Sequence, residues 1–144
     1  MDKIIETAQT IHRMLWKMTG DTSMGTKMAI AVTKEWQKQI SAFRDPSIHI
    51  EYSVGGGLGE KIDAVDLGSR QAYEMKVSPN NTHFEFYRDI FKILAHNEAN
   101  PHRPFDSLVF ITPSESATKV STGLGATAIA AAKKLGLNVV VHGI

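Results

Sequence analysis

Glu60-Lys61-Ile62-Asp63-Ala64-Val65-Asp66-Leu67, then Gly68-Ser69-Arg70, then Gln71-Ala72-Tyr73-Glu74-Met75-Lys76-Val77-Ser78 is the stretch on which the reading of this chain turns. Two runs rich in β-forming residues, parted by Gly-Ser, predict a β-hairpin. Gly68 ahead of Ser69 suits a two-residue type II′ turn, whose first central position takes a positive φ. With Leu67 and Arg70 flanking that turn, Asp63 is expected opposite Glu74, and Lys61 opposite Lys76. Strand alternation puts Glu74 and Lys76 on one face with Asp63 beside them. Carboxylates directly across a strand pair repel, and burying them costs more. A divalent cation between them reverses the sign of the problem. Two carboxylates, a backbone carbonyl and waters are a usual way of holding Mg²⁺. Lys76 would add a positive charge that offsets an anionic transition state or orients a water. The competing reading of the same residues is a solvated hairpin face, because Glu-x-Lys alone is a short pattern.

Working outward, Ile48-His49-Ile50-Glu51-Tyr52-Ser53-Val54 alternates and predicts a strand. The glycine-rich Gly55 to Gly59 that follows lacks both the dinucleotide fingerprint and the Gly-Lys-Ser/Thr of a phosphate loop, and is read as a mobile connection. Upstream, Ala29, Val32, Trp36, Ile40 and Phe43 recur at helical spacing and predict a helix over 25–44, with Glu35 at the edge of its apolar stripe. A further helix is predicted over 2–18 from Ile4, Ile5, Ala8, Ile11, Leu15 and Met18, capped by Asp2 and ended by Thr19 to Thr22. Downstream, Phe84, Phe86, Tyr87, Ile90, Phe91, Ile93 and Leu94 predict a largely buried helix over about 83–97, capped by Asn81 or Thr82. Its N-terminus favours anions, and Asn81, His83 and Arg88 are the polar candidates there. Ser107 to Thr112 reads as a buried strand. One small-sided helix is expected from Pro113 to about Leu135, with Gly136 as its C′ residue. Asn138 to His142 is the final strand. Ser116 and Lys119 have the Ser-x-x-Lys spacing of some acyl-transfer enzymes, but the companion motifs are missing, so they are read as a cap and a surface lysine.

A chain of 144 residues suits one domain over 1–144. Apolar content of 42% and charged content of 22% are those of a soluble globular protein. Without cysteine, thiol nucleophiles, disulfides and cysteine zinc sites are excluded. A cytoplasmic setting is expected, with no membrane partner, since no apolar run nears the ~20 residues needed to cross a bilayer. The net charge of +1 argues against a protein that merely coats nucleic acid, while leaving room for a local basic patch. The order α-α-β-β-β-α-β-α-β predicts an α/β fold. Three strands form an antiparallel meander, two more join in parallel by right-handed crossovers, and helices flank this single mixed sheet.

That order, with Asp63 on the second strand and Glu74-Met75-Lys76 on the third, resembles the PD-(D/E)xK nuclease superfamily, the restriction-endonuclease-like proteins. The common α-β-β-β-α-β core of that superfamily matches residues 25–112 in order. Helix 2–18 and the segment 114–142 are additions to it. Ile62 stands where the motif name has proline. The resemblance implies a metal-dependent endonuclease that hydrolyses phosphodiester bonds, with DNA as the expected substrate class, Mg²⁺ as cofactor and Mn²⁺ as substitute. It implies Asp63, Glu74 and the Met75 carbonyl as metal ligands, Lys76 as the lysine that positions the attacking water, and Glu35 as the added glutamate of the first core helix. A homodimer follows from one site per chain and two strands per duplex. His83 and Tyr87 have the spacing of a Gln/Tyr pair found in one subgroup, without the glutamine. Two alternatives stay open: a non-catalytic nuclease-like module that binds nucleic acid or protein, and a ribonuclease, since nothing in the sequence separates RNA from DNA.

Overall fold

The computed structural model describes residues 2–16 and 25–144. In chain order the elements are α1 (Lys3–Trp16), α2 (Gly25–Ser41), β1 (Ile48–Ser53), β2 (Lys61–Asp66), β3 (Gln71–Met75), α3 (Thr82–Ala99), β4 (Ser107–Thr112), α4 (Ser114–Val120), α5 (Leu124–Lys134) and β5 (Asn138–Gly143). The strands form one sheet in the order β1-β2-β3-β4-β5. Pairs β1–β2 and β2–β3 are antiparallel, and pairs β3–β4 and β4–β5 are parallel. The α/β class and the mixed sheet are thus those expected from the element order. No helix among the described residues is long and apolar enough to cross a membrane.

Each face of the sheet carries its own core. On one face Ile62, Val65, Ala72, Leu108 and Phe110 pack with Phe86, Ile90 and Ile93 of α3. On the other, Ala64, Tyr73, Met75, Val109 and Ile111 pack with Val32, Trp36 and Ile40 of α2 and Ile4, Ala8 and Ile11 of α1. The N-terminal helix is therefore part of the domain's second layer, and Trp36 Nε1 donates to the Ile4 carbonyl at 3.0 Å across the two helices. Asp2 caps α1 as expected, accepting from the Ile4 N–H at 2.8 Å. The expected contribution of Met18 and the stop at Thr19 to Thr22 lie outside the described residues.

Three expectations are corrected. The hairpin turn has four residues, Leu67 to Arg70. Arg70, not Gly68, takes the left-handed φ of 57°. Asp66 Oδ1 accepts the Gly68 N–H at 2.9 Å, so a side chain organises the turn. The register survives this, because Asp66 still opposes Gln71 and Ala64 opposes Tyr73. Second, the single helix expected from Pro113 to Leu135 is two helices. Gly123 has φ 57° and ψ −128°, a backbone that only glycine adopts without strain, and it ends the first helix and starts the next. Third, α3 is not largely buried. Its apolar residues lie all round, but a helix on a sheet buries one stripe. Phe84 and Phe91 face outward, and the buried stripe admits Asp89 and His96 beside Phe86, Ile90 and Ile93. In α2, likewise, the buried stripe stops at Ile40 and Phe43 lies exposed beyond the helix.

Gly125 at the start of α5 abuts α4 closely, and a Cβ there would stand 1.7 Å from the Val120 carbonyl oxygen. A backbone atom cannot step aside as a side-chain tip does. Gly125→Ala is expected to cost about 2–4 kcal/mol by overpacking and forced backbone shift. Gly25→Ala, whose Cβ meets no atom of the described residues within 4 Å, is expected to change stability by less than about 0.5 kcal/mol. Urea denaturation of the two variants beside the parent checks this.

Candidate active site

Asp63 sits where β2 stops behaving as a regular strand. Ile62 and Val65 face the α3 core while Ala64 faces the α2 core, so the two-residue alternation resets between 62 and 64. Strand β1 does the same opposite it. Ile48 packs on the α2 side and Tyr52 on the α3 side, and between them Glu51 has φ 48°. That is an uncommon, strained backbone for a residue with a side chain. The β2–β3 ladder ends at the Ala64–Tyr73 pair. Beyond it the Asp63 carboxylate replaces a ladder carbonyl, Oδ2 accepting the Met75 N–H at 3.0 Å. The Asp63 carbonyl accepts from Gln37 Nε2 of α2 at 2.9 Å, and the same amide donates to Glu51 Oε1 at 2.9 Å. Asp63 is thus held from both sides, its carboxyl near enough to Glu74 for each acid to shift the other's proton affinity.

Glu74 is buried on the α3 face of β3, where the sequence alternation puts it. Its partner comes from the helix. Lys92 Nζ lies 2.6 Å from Glu74 Oε1 and 3.2 Å from Asp89 Oδ1, and donates to the Lys61 carbonyl at 2.8 Å. Asp89 and Lys92, three apart on α3, point down onto the sheet side by side. The site therefore sets the carboxyls of Glu74 and Asp89 on one ammonium, with Asp63 within electrostatic reach of it.

The charge does not balance, and the proton affinities follow. Burial, then repulsion by Asp63 and Asp89, pushes the Glu74 carboxyl well above the usual carboxylate range, although Lys92 pulls it back. Burial pushes Asp89 up to about 7 against the opposing pull of Lys92. Burial also raises Asp63, with the Met75 N–H and the Glu74 hydrogen bond acting the other way and Glu51 adding repulsion. Burial alone would lower Lys92, but the charges of Glu74 and Asp89 outweigh it and hold the ammonium above its ordinary pKa. The donors are hard oxygens, the class that binds Mg²⁺ and Mn²⁺. Among the described residues no three His, Asp or Glu side chains are already gathered as ligands of one ion.

The other expected residues are placed as follows. Lys76 follows the end of β3, its N–H donating to the Ile111 carbonyl at 2.8 Å. It lines a depression of about 420 Å³ between α2 and the loop into α3, and its ammonium makes no ion pair with a described residue. Glu35 does not join the site. It bonds Gln39 at 3.0 Å and lies 3.9 Å from Lys38, on the side of α2 turned away from Gln37. Gln37 is the residue of that helix that reaches Asp63. Arg88 also points elsewhere, its guanidinium 2.8 Å from Glu60. Asn81 stands at the head of α3 with φ 56° and no side-chain cap bond, which corrects the expectation that it caps the helix; Thr82 does not cap it either, its hydroxyl donating to the Pro79 carbonyl. His83 is exposed in the first turn with its ring 6.3 Å from Tyr87. Asp89, Lys92, Gln37 and Glu51 were not singled out as site residues from the sequence. The available signal was Asp89 and Lys92 falling on the same helical stripe as Phe86 and Ile93. Comparison with known proteins returns no match of this chain to a family model, to a curated protein or to a solved structure.

Stability is expected to depend on pH through these acids. The unfolded chain releases the protons of Asp89 and Glu74 near pH 4, whereas the native chain keeps them to higher pH. The native state then binds more protons between about pH 4 and 7, so metal-free stability falls as pH rises through that window. Asp89→Asn should flatten the dependence. Melting temperatures at pH 5 and pH 8 in chelator check it, and an unchanged slope in the variant would remove Asp89 from the explanation.

Proposed function

We propose that this chain is a divalent-metal-dependent endonuclease of the PD-(D/E)xK type, hydrolysing phosphodiester bonds in DNA. The observation that carries the reading is Asp63 drawn out of the β2–β3 ladder to lie against the buried Glu74, with Asp89 adding a third carboxyl and only one ammonium to balance them. A hairpin stabilised for its own sake would not place unbalanced acids in its interior. The position of that pair at the end of β3 agrees with the resemblance drawn from Asp63 and Glu74-Met75-Lys76.

Asp63, Glu74 and the Met75 carbonyl are the groups that would hold Mg²⁺ or Mn²⁺, with Asp89 behind them. The ion supplies a counter-charge for the phosphate and an attacking water of lowered pKa. The chain's own residues do the rest. Gln37 and the Met75 N–H fix the Asp63 carboxyl in orientation. Lys76, at the open end of β3, offsets charge developing on the phosphate and orients the water in line with the bond to be broken. Lys92 serves as counter-ion to Glu74 and Asp89 while they carry no metal, offsetting part of the repulsion between the two acids. No covalent enzyme intermediate is needed. A pair of chains would present one site to each strand of a duplex. Glu35 has no part in this reading.

Lys92 seated directly on Glu74 is also the observation that favours the second reading, a nuclease-like module that binds without cutting. The experiment is cleavage of supercoiled, linear, single-stranded and branched DNA, with matched RNA, in Mg²⁺, Mn²⁺ or chelator. Metal-dependent cutting is expected, reduced at least about a hundredfold in Asp63→Ala and Glu74→Gln, with circular dichroism unchanged. Mn²⁺ is also expected to raise the melting temperature of the parent and not of Glu74→Gln. Binding of nucleic acid with neither cutting nor a metal-dependent melting shift would favour the module, and cutting of RNA alone would make the chain a ribonuclease.

A further inference from the structure

Two open depressions meet at Asn81. One, of about 420 Å³, includes Lys76, Ser78 and Asn80, with threonines of α2 on its far wall. The other, of about 390 Å³, runs from Asn81 past His83 to Lys119 and Ser116 on α4. Together they form a groove that begins at Lys76, two residues after Glu74, and leads across the head of α3; the carboxylates themselves do not line it. Among the described residues that line it there is no Asp or Glu. Its polar lining is hydroxyls, amides, an imidazole and two ammonium groups. That is the set of side chains through which proteins grip phosphate oxygens without reading sequence.

The lining contrasts with its surroundings. Glu74 and Asp89 are turned inward onto Lys92, and Glu60 is taken up by Arg88; Glu85 in the first turn of α3 and Glu115 on α4 flank the groove without lining it. A chain with a net charge of +1 has no general attraction for a polyanion, so any grip must be local. Lys119 shares its ammonium with Glu115 at 3.3 Å, but both side chains are mostly in water, where such a pair is screened and exchanges readily for another anion.

We propose that this groove, from Lys76 past Asn81 to Lys119, carries the phosphodiester backbone of DNA away from the carboxylate site. The proposal takes the position of the reacting phosphate from the nuclease reading, but its test is binding. It extends the contact surface to α4, which the sequence reading left out, and it excludes Arg88, which that reading included.

The test is fluorescence anisotropy of a labelled DNA duplex of about 20 base pairs, in chelator so that nothing is cut. Lys119→Glu is expected to weaken binding about tenfold, and Lys119→Ala to lower the slope of log affinity against log salt by about one. Asn81→Gly keeps the left-handed backbone, which glycine accepts, and removes the amide. It is expected to weaken binding about threefold. Arg103→Ala is the control. With Arg70 and Tyr52 it lines a separate depression of about 310 Å³ at the hairpin-turn end of the sheet, and its affinity should match the parent. Parental affinity in all three groove variants overturns the proposal, as does a larger loss in Arg103→Ala, no binding of DNA by the parent, or a tenfold preference for RNA of the same sequence. The two readings separate cleanly. Weakened binding by the groove variants of a parent that never cuts upholds the groove and removes the nuclease. Metal-dependent cutting with unchanged affinity and KM in the groove variants does the reverse.

Discussion

One buried ammonium holds the centre of this molecule together. Lys92 reaches from α3 to the sheet and touches Glu74, Asp89 and the Lys61 carbonyl at once. Removing one member of a buried ion pair costs about 3–5 kcal/mol, because the partner is left charged in a poor solvent. Here the partner would be a group of acids already in excess. The constraint fixes how α3 lies, since the helix must turn Asp89 and Lys92 down and therefore turns Phe84 and Phe91 out. The apolar composition of α3 alone would not have made that choice.

The second device is the exit of Asp63 from its ladder. A strand residue ordinarily satisfies its neighbours through its backbone. Asp63 does so with its carboxylate, and its own carbonyl is answered by the Gln37 amide instead. The adjoining strand yields in step, through the positive φ of Glu51. Strain of this kind persists only where the surroundings over-determine it. Here the surroundings are the packed α2 helix on one side and the acid cluster on the other. The chain keeps every backbone partner it can while turning a carboxylate toward Glu74.

These two devices give the site its asymmetry. On the α3 side the acids are enclosed and short of positive charge, which suits a small hard cation. At the open end of β3 the lining changes to hydroxyls, amides and Lys76, which suits an extended polyanion. On the proposed reading, the acids would hold the cation and the groove the polyanion that a metal-assisted attack on a phosphodiester requires. The same division separates the two lysines, Lys92 paired with the acids and Lys76 among the residues lining the depression at the end of β3.

Much of this was legible in the chain. The alternating runs around Gly68 set the hairpin and its register, and the register held although the turn was built by Asp66 and Arg70, because the loop still joined Asp66 to Gln71. The element order dictated the mixed sheet, since strands joined by helices return in parallel. Local spacing set Asp63 opposite Glu74, but the ladder ends one pair earlier, at Ala64 and Tyr73, and Asp63 meets β3 through its carboxylate instead. What lay beyond reach were contacts between residues far apart in sequence: Lys92 on Glu74, Gln37 on Asp63, and the retirement of Glu35 to the outer side of its helix. The sequence by itself determined which residues lie in which strand or helix, because hydrophobic period and turn chemistry act over a few neighbours. Only the tertiary structure decided which polar groups share the interior, because a buried charge is placed by whatever distant partner can neutralise it.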